Sequence, residues 1–151
     1  MDHYAATGTI AAVTASPGDT VLAVLANATR RGAIGTVIFS HSATPADNVI
    51  QWLARRLTAV GIEGAGVVPI AFDGAAPAAL LDGAEGHTTE PTYTAASELI
   101  DEDLNQRATF TWQARPGGEL IVPATASNGI GFTPISAAYT GGARVTAHWY
   151  E

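Results

Sequence analysis

Between residues 109 and 113 polar and apolar side chains alternate: Phe110 and Trp112 point one way, Thr109, Thr111 and Gln113 the other. A period of two is that of a strand with one face in a core. The same alternation closes the chain, where Val145, Ala147 and Trp149 share a face against Arg144, Thr146, His148 and Tyr150. Arg115-Pro116-Gly117-Gly118 predicts a chain reversal, because proline presets φ and glycine accepts a positive φ. Leu120-Ile121-Val122 then resumes an extended run that Pro123 closes, so 109–113 and 120–122 read as a hairpin. Ala126-Ser127-Asn128-Gly129 turns into a short strand, Ile130-Gly131-Phe132, and Tyr139-Thr140-Gly141-Gly142 leads into the last one.

Upstream, residues 4–13 read as a threonine-rich first strand and Ser16-Pro17-Gly18-Asp19 as a turn. Residues 20–28, with Val21, Leu22, Val24 and Leu25, form a second strand or a short buried segment. Residues 33–40 form a third, after Arg30-Arg31-Gly32. Residues 44–59 fit two templates. Local rules favour a helix: Thr44 and Asp47 resemble a capping box, Pro45 suits the first helical position, and Val49, Trp52, Leu57 and Val60 recur at helical spacing. The strand template puts Ile50, Trp52 and Ala54 on one face and pairs the segment, through a loop at 61–66, with residues 67–72. Residues 73–91 are low in complexity and predict a long surface loop, with a short helical turn at 78–81 or a reach towards a neighbour. Residues 92–100 predict a strand that ends in an acidic turn, Asp101-Glu102-Asp103. Eight or nine short strands and at most one short helix make an all-β protein. The expected fold is one domain over residues 1–151, an antiparallel β-sandwich of jelly-roll-like form.

Composition sharpens this. A chain of 151 residues buries about 70% of its unfolded surface without disulfides, and cysteine is absent. The net charge is −7, every cation is arginine, and charged residues make up only 14% of the chain. Globular domains usually carry about 25%. Partners are therefore expected to cover part of the surface. An acidic chain with scattered arginines lacks the basic patch that nucleic acid requires. Met1-Asp2-His3-Tyr4 has neither the basic nor the apolar region of a signal peptide. No apolar run nears the roughly 20 residues of a membrane span, so neither nucleic acid nor membrane is expected as a partner.

Candidate chemistry is sparse. His3, His41, His87 and His148 show no H-x-H or H-E-x-x-H spacing, so structural or solvated roles are expected. Asp101, Asp103 and Asn105 match the first half of a calcium loop. Gln106 and Trp112 then stand where glycine and glutamate are needed. Ser40-His41-Ser42 has no orienting acid in sequence, and no G-x-S-x-G elbow or phosphate-cradling glycine loop occurs. Asn27-Ala28-Thr29 is a glycosylation sequon of little weight without a signal peptide. Trp52, Trp112 and Trp149 could form a sugar platform, but Trp112 and Trp149 sit in phase with apolar neighbours, which favours core packing. The expectation is no catalytic, metal or cofactor-binding residue, no cofactor and no enzyme.

Two longer runs resemble a known class. They are residues 104–112 and the segment from Pro116 to Thr125 followed by Asn128-Gly129-Ile130-Gly131-Phe132. With Val68-Pro69-Ile70-Ala71-Phe72-Asp73 and Glu90-Pro91-Thr92-Tyr93-Thr94, this pattern is similar to small jelly-roll structural proteins of tailed bacteriophages, the head-decoration or cement type. The likeness covers roughly residues 48–151 and is one of pattern. It implies a strand over 50–58 and a virion protein without an active site. Such a protein packs on a capsid lattice, against the major capsid protein. The low charge density and the apolar strands reaching both termini predict a homo-oligomer, a trimer, and the net charge of −7 predicts the outer capsid surface, away from packaged DNA. Met1, Asp2, His3, Tyr4, Ala5, Ala6, Thr7, Gly8 and Thr9 are the candidate capsid-contact arm, because termini fray unless something pins them. Removing them is expected to weaken capsid binding while the sandwich stays folded. The alternative is a carbohydrate- or receptor-binding β-sandwich module of a phage tail or fibre, marked by an exposed cleft of aromatic and acidic residues. An enzyme on the same scaffold is a weaker third.

Overall fold

Alternation becomes pairing at the C-terminal strand, where buried and exposed positions alternate along Ala143–Tyr150 between two antiparallel neighbours. The computed structural model describes residues 1–14, 18–136, 139 and 141–151. The readings at Ser16-Pro17 and Thr140 lie outside the described residues. Twelve strands follow one another: β1 (His3–Ile10), β2 (Leu22–Leu25), β3 (Gly32–His41), β4 (Val49–Ala59), β5 (Ala65–Val67), β6 (Ile70–Ala71), β7 (Asp82–Glu85), β8 (Thr92–Asn105), β9 (Phe110–Gln113), β10 (Leu120–Val122), β11 (Gly129–Ile135) and β12 (Ala143–Tyr150). No helix occurs among the described residues, and hence none that is long and apolar enough to cross a membrane.

The strands form two antiparallel sheets, as the all-β sandwich reading expects, with twelve strands in place of eight or nine. The first runs β10-β3-β12-β1-β6 with β9 also on β3, and the second β5-β7-β2-β11-β4-β8. Their inner faces meet in one core: Tyr4, Ala6, Ile34, Val37, Phe39, Val145, Ala147 and Trp149 from the first, Leu22, Val24, Ile50, Trp52, Ala54, Ile130 and Phe132 from the second. Phe39 bridges the layers, with ring centroids 4.8 Å from Trp52 and 6.2 Å from Phe132. Trp52 and Trp149 are fully buried and Trp112 packs against the same core.

Several local expectations are corrected. The chain over 49–59 is strand, as the resemblance implied, because β8 and β11 pair with it on either side. Tertiary pairing overrides helical spacing here. The capping-box acid has another partner, since Asp47 Oδ1 accepts from Asn105 Nδ2, and beside it Gln106 Oε1 accepts from the Ala46 N–H at 3.1 Å. Residues 67–72 do not pair with β4. Pro69 has no N–H to give to a ladder, and across it the chain changes sheets, from β5 on β7 to β6 on β1. The acidic run 101–103 lies within β8, opposite Gln51, Trp52 and Leu53. Residues 73–91 are not one long loop, since β7 interrupts them, and 78–81 is not helical. Glu151 ties this segment down by accepting the N–H groups of Leu80 (2.6 Å) and Leu81 (3.0 Å).

The expected 109–122 hairpin is also corrected. β9 and β10 line the same edge of β3 one after the other, so residues 114–119 leave the sheet and rejoin it without reversing the chain.

Candidate functional site

The nine N-terminal residues do not project as an arm. β1 pairs along its length with β12 and, at Tyr4 and Ala5, with β6, and it buries Tyr4 and Ala6 in the core. The strand presents only His3, Ala5, Thr7 and Thr9 outward. A segment that supplies core side chains cannot be dispensable for folding, which corrects that expectation.

The candidate metal and catalytic residues are scattered. Among the described residues no three His, Asp or Glu side chains come close enough to share a metal ion. Asp101 and Asp103 sit on a strand, and Gln51 Nε2 donates to Asp101 Oδ1 at 2.7 Å. His41 is held from within: Trp52 Nε1–H donates to its Nε2 at 2.8 Å. That bond consumes the lone pair Ser40 or Ser42 would need in a base, and it places the ring proton on Nδ1.

Burial is the main influence on three histidines, His41, His87 and His148, and it holds each below the ordinary value of 6.5. Nearby backbone groups of Gln106 and Ala108 oppose the shift at His41, and Glu90 and Glu63 oppose it at His87. A depressed histidine pKa means that the unfolded chain takes up protons first as pH falls. Stability is therefore complete above about 6.5 and declines as pH drops towards the folded-state values. Chemical denaturation between about pH 7 and pH 5 should show stability falling with acidity. His41→Phe should flatten that slope, and a slope identical to the native chain's would rule out His41 as a contributor.

The outer face of the second sheet carries a closed polar network. Glu90 Oε2 accepts from the Thr20 N–H (2.9 Å) and hydroxyl (2.5 Å), and Tyr93 Oη shares hydrogen bonds with Thr20 (2.6 Å) and Thr133 (3.3 Å). Arg55 lays its guanidinium over the Tyr93 ring, 4.1 Å from the centroid. Gly131 makes this possible, since a Cβ there would meet Tyr93 Oη. Every member faces another, which makes the network a clamp rather than an opening.

The outer face of the first sheet is different. Its strands present His3, Ala5, Thr7 and Thr9 (β1), Thr36, Ile38 and Ser40 (β3), Thr111 and Gln113 (β9), and Arg144, Thr146, His148 and Tyr150 (β12). Arg144 is the one permanent charge among them. At Gly35 the regular ladder breaks on both sides. The β3–β12 register shifts between His148 and Trp149, so that Thr36 faces His148 and Ile34 faces Trp149. On the other side β9 ends opposite Thr36 and β10 begins opposite Ile34, while the Ala114 N–H donates to the Gly35 carbonyl at 2.9 Å. The result is a transverse groove of about 270 Å³, walled by His3, Phe72, His148 and Tyr150 on one side and by Gln113 and Glu119 on the other.

The two lateral sides of the sandwich also differ. β1 packs over β5 and β7, and Arg56 Nη1 reaches the Ile121 carbonyl at 3.0 Å. This puts β5 and β6 on one side, β8 and the β9–β10 edge on the other. β8 exposes Glu98, Asp101, Glu102 and Asp103. The opposite side exposes Val68 (81%) and Ile70 (72%) within an uncharged run, residues 64–72. The alternating charge pattern of the sequence could not mark this edge, although the apolar run around Pro69 was its visible trace.

Comparison with known proteins matches the chain to no family model, no curated protein and no solved structure.

Proposed function

We propose that the chain is a virion structural protein of the tailed-phage head-decoration type, packed on the outer surface of the capsid against the major capsid protein and copies of itself. The sequence pattern supplies the class, and one observation supports the mode of attachment: the contrast between the lateral edges. An unpaired strand edge invites other strands, and proteins commonly blunt it with charge. β8 follows that rule. β5 and β6 themselves carry no charge in a chain of net charge −7, so their apolar residues are where equal subunits can approach with most gain from burial. A standard contact buries about 800 Å² per partner, and many copies on one shell turn modest affinity into avidity. The acidic edge then faces solvent. Outside placement also keeps it away from packaged DNA, whose repulsion acts over about 10 Å at ordinary salt.

The test replaces Ile70 by glutamate. Its side chain is already in water, so far-UV circular dichroism and melting should match the native chain. The added charge should weaken trimer formation and binding to undecorated heads by about tenfold or more, on the order of 1.4 kcal/mol. Equal decoration by the variant, or a native chain that stays monomeric at high concentration and never binds heads, overturns the proposal.

A further inference from the structure

We infer that the transverse groove on the first sheet is a binding site for one neutral sugar ring. Four features of its lining select this ligand. Phe72 offers a ring that is 60% exposed, and His3 stands beside it on the neighbouring strand with its plane only 10° away at 6.5 Å. His148 and Tyr150 close the row, edge-on to Phe72 at 5.1 Å and tilted against His3 at 5.7 Å. The exposed Phe72 ring, with His148 edge-on to it, offers an aromatic face on which the C–H face of a pyranose can pack.

Across the floor, Thr36 and Gln113 provide a hydroxyl and an amide, and Glu119, which already accepts from the Gly117 N–H at 3.3 Å and bonds Tyr150, keeps further carboxylate lone pairs. Together they donate and accept, as adjacent sugar hydroxyls require. No lysine or arginine lines the groove, and the chain as a whole is −7, so phosphates and acidic sugars have no counter-charge here. Size sets the last limit. About 270 Å³ lies just below the range of about 300–1,000 Å³ typical of drug-sized ligands, which leaves room for one ring of a longer glycan.

The backbone shows how this opening is made. Gly35 is the residue left over by the register shift, and a Cβ built on it would meet nothing within 4 Å. The absent side chain is the groove's floor. Bulges re-aim side chains beside functional sites, and here two breaks on opposite sides of β3 coincide at one residue. The groove runs across the outer face of the first sheet, and one of its walls, His3 and Phe72, adjoins β6.

The experiment titrates the intact, isotope-labelled chain with methyl glycosides of glucose, galactose, mannose and N-acetylglucosamine, with sialic acid and methylguanidinium as charged controls. One or more neutral glycosides should shift the amide signals of His3, Thr36, Phe72, Gln113 and His148 in a saturable way, and the charged probes should not. Phe72→Ala, which removes the exposed ring, and Gly35→Leu, whose Cβ meets nothing within 4 Å, should each weaken binding about tenfold or more while the melting temperature holds. The inference is overturned if no neutral glycoside moves these signals, if the shifts map elsewhere, if a charged probe binds as well, or if both variants bind like the native chain. Head binding by Gly35→Leu, which lies outside the 64–72 run, reports separately on the capsid contact.

Discussion

A chain lacking residues 1–9 is expected not to fold. The deletion strips β12 of its partner along eight registered positions, from His3 opposite Tyr150 to Ile10 opposite Ala143, of which the first seven are lost outright. It also unseats β6, whose two residues pair only with β1. Tyr4 and Ala6 leave the core, and with Tyr4 goes the hydrogen bond from its hydroxyl to the Pro77 carbonyl at 3.0 Å. A net stability of about 5–15 kcal/mol cannot absorb the loss of a central strand. The truncated chain should be insoluble or show a disordered far-UV spectrum, whereas Tyr4→Ala in the full chain should cost about 3 kcal/mol or more and still fold. Recovery of a soluble, cooperatively melting truncated chain would restore the arm reading and refute the strand's role.

Trp52→Ala should be the most damaging single substitution. The side chain is fully buried, packs on Phe39 across the layers, and donates to His41 Nε2. Truncating a buried tryptophan typically costs about 3–5 kcal/mol through lost transfer energy and the cavity left behind. The orphaned His41 nitrogen adds about 1–3 kcal/mol. The sum approaches the whole stability of a small domain, so the variant should be largely unfolded at ambient temperature. Trp52→Phe keeps most of the volume and loses the donor, and should fold with a clearly lowered denaturation midpoint. If Trp52→Ala melts within a few degrees of the native chain, the inter-layer packing at Phe39 and Trp52 is not the keystone described here.

Parts of this architecture are written locally. The alternation at Phe110-Thr111-Trp112 and along 144–150 records which side of each strand meets water, and that is a property of neighbouring residues alone. The same holds for the turn at 126–129, for the burial of Trp149 and for the packing of Trp112 against the core, in phase with their neighbours. The all-β class and the two-layer arrangement follow from such signals. The sparse charge and the absence of cysteine also stand in the sequence itself.

The remaining features depend on partners far away along the chain. Residues 49–59 carry a helix-like spacing and became β4 because β8 and β11 flank them. Asp101-Glu102-Asp103 looks like a solvated turn, but the ladder to β4 holds it extended at a sheet edge, where its charge deters further pairing. Residues 4–13 read as a strand, but its partner, β12, more than a hundred positions downstream, and its place inside the sheet are not visible locally. The groove is the extreme case. Its lining comes from β1, β3, β9, β12, the residue after β6 and the 114–119 excursion, and no stretch of sequence contains more than a fragment of it. Hydrophobic period and turn chemistry are local energies, readable along the chain. Register and the surfaces it creates are set by contacts across the chain, and only the folded structure decides them.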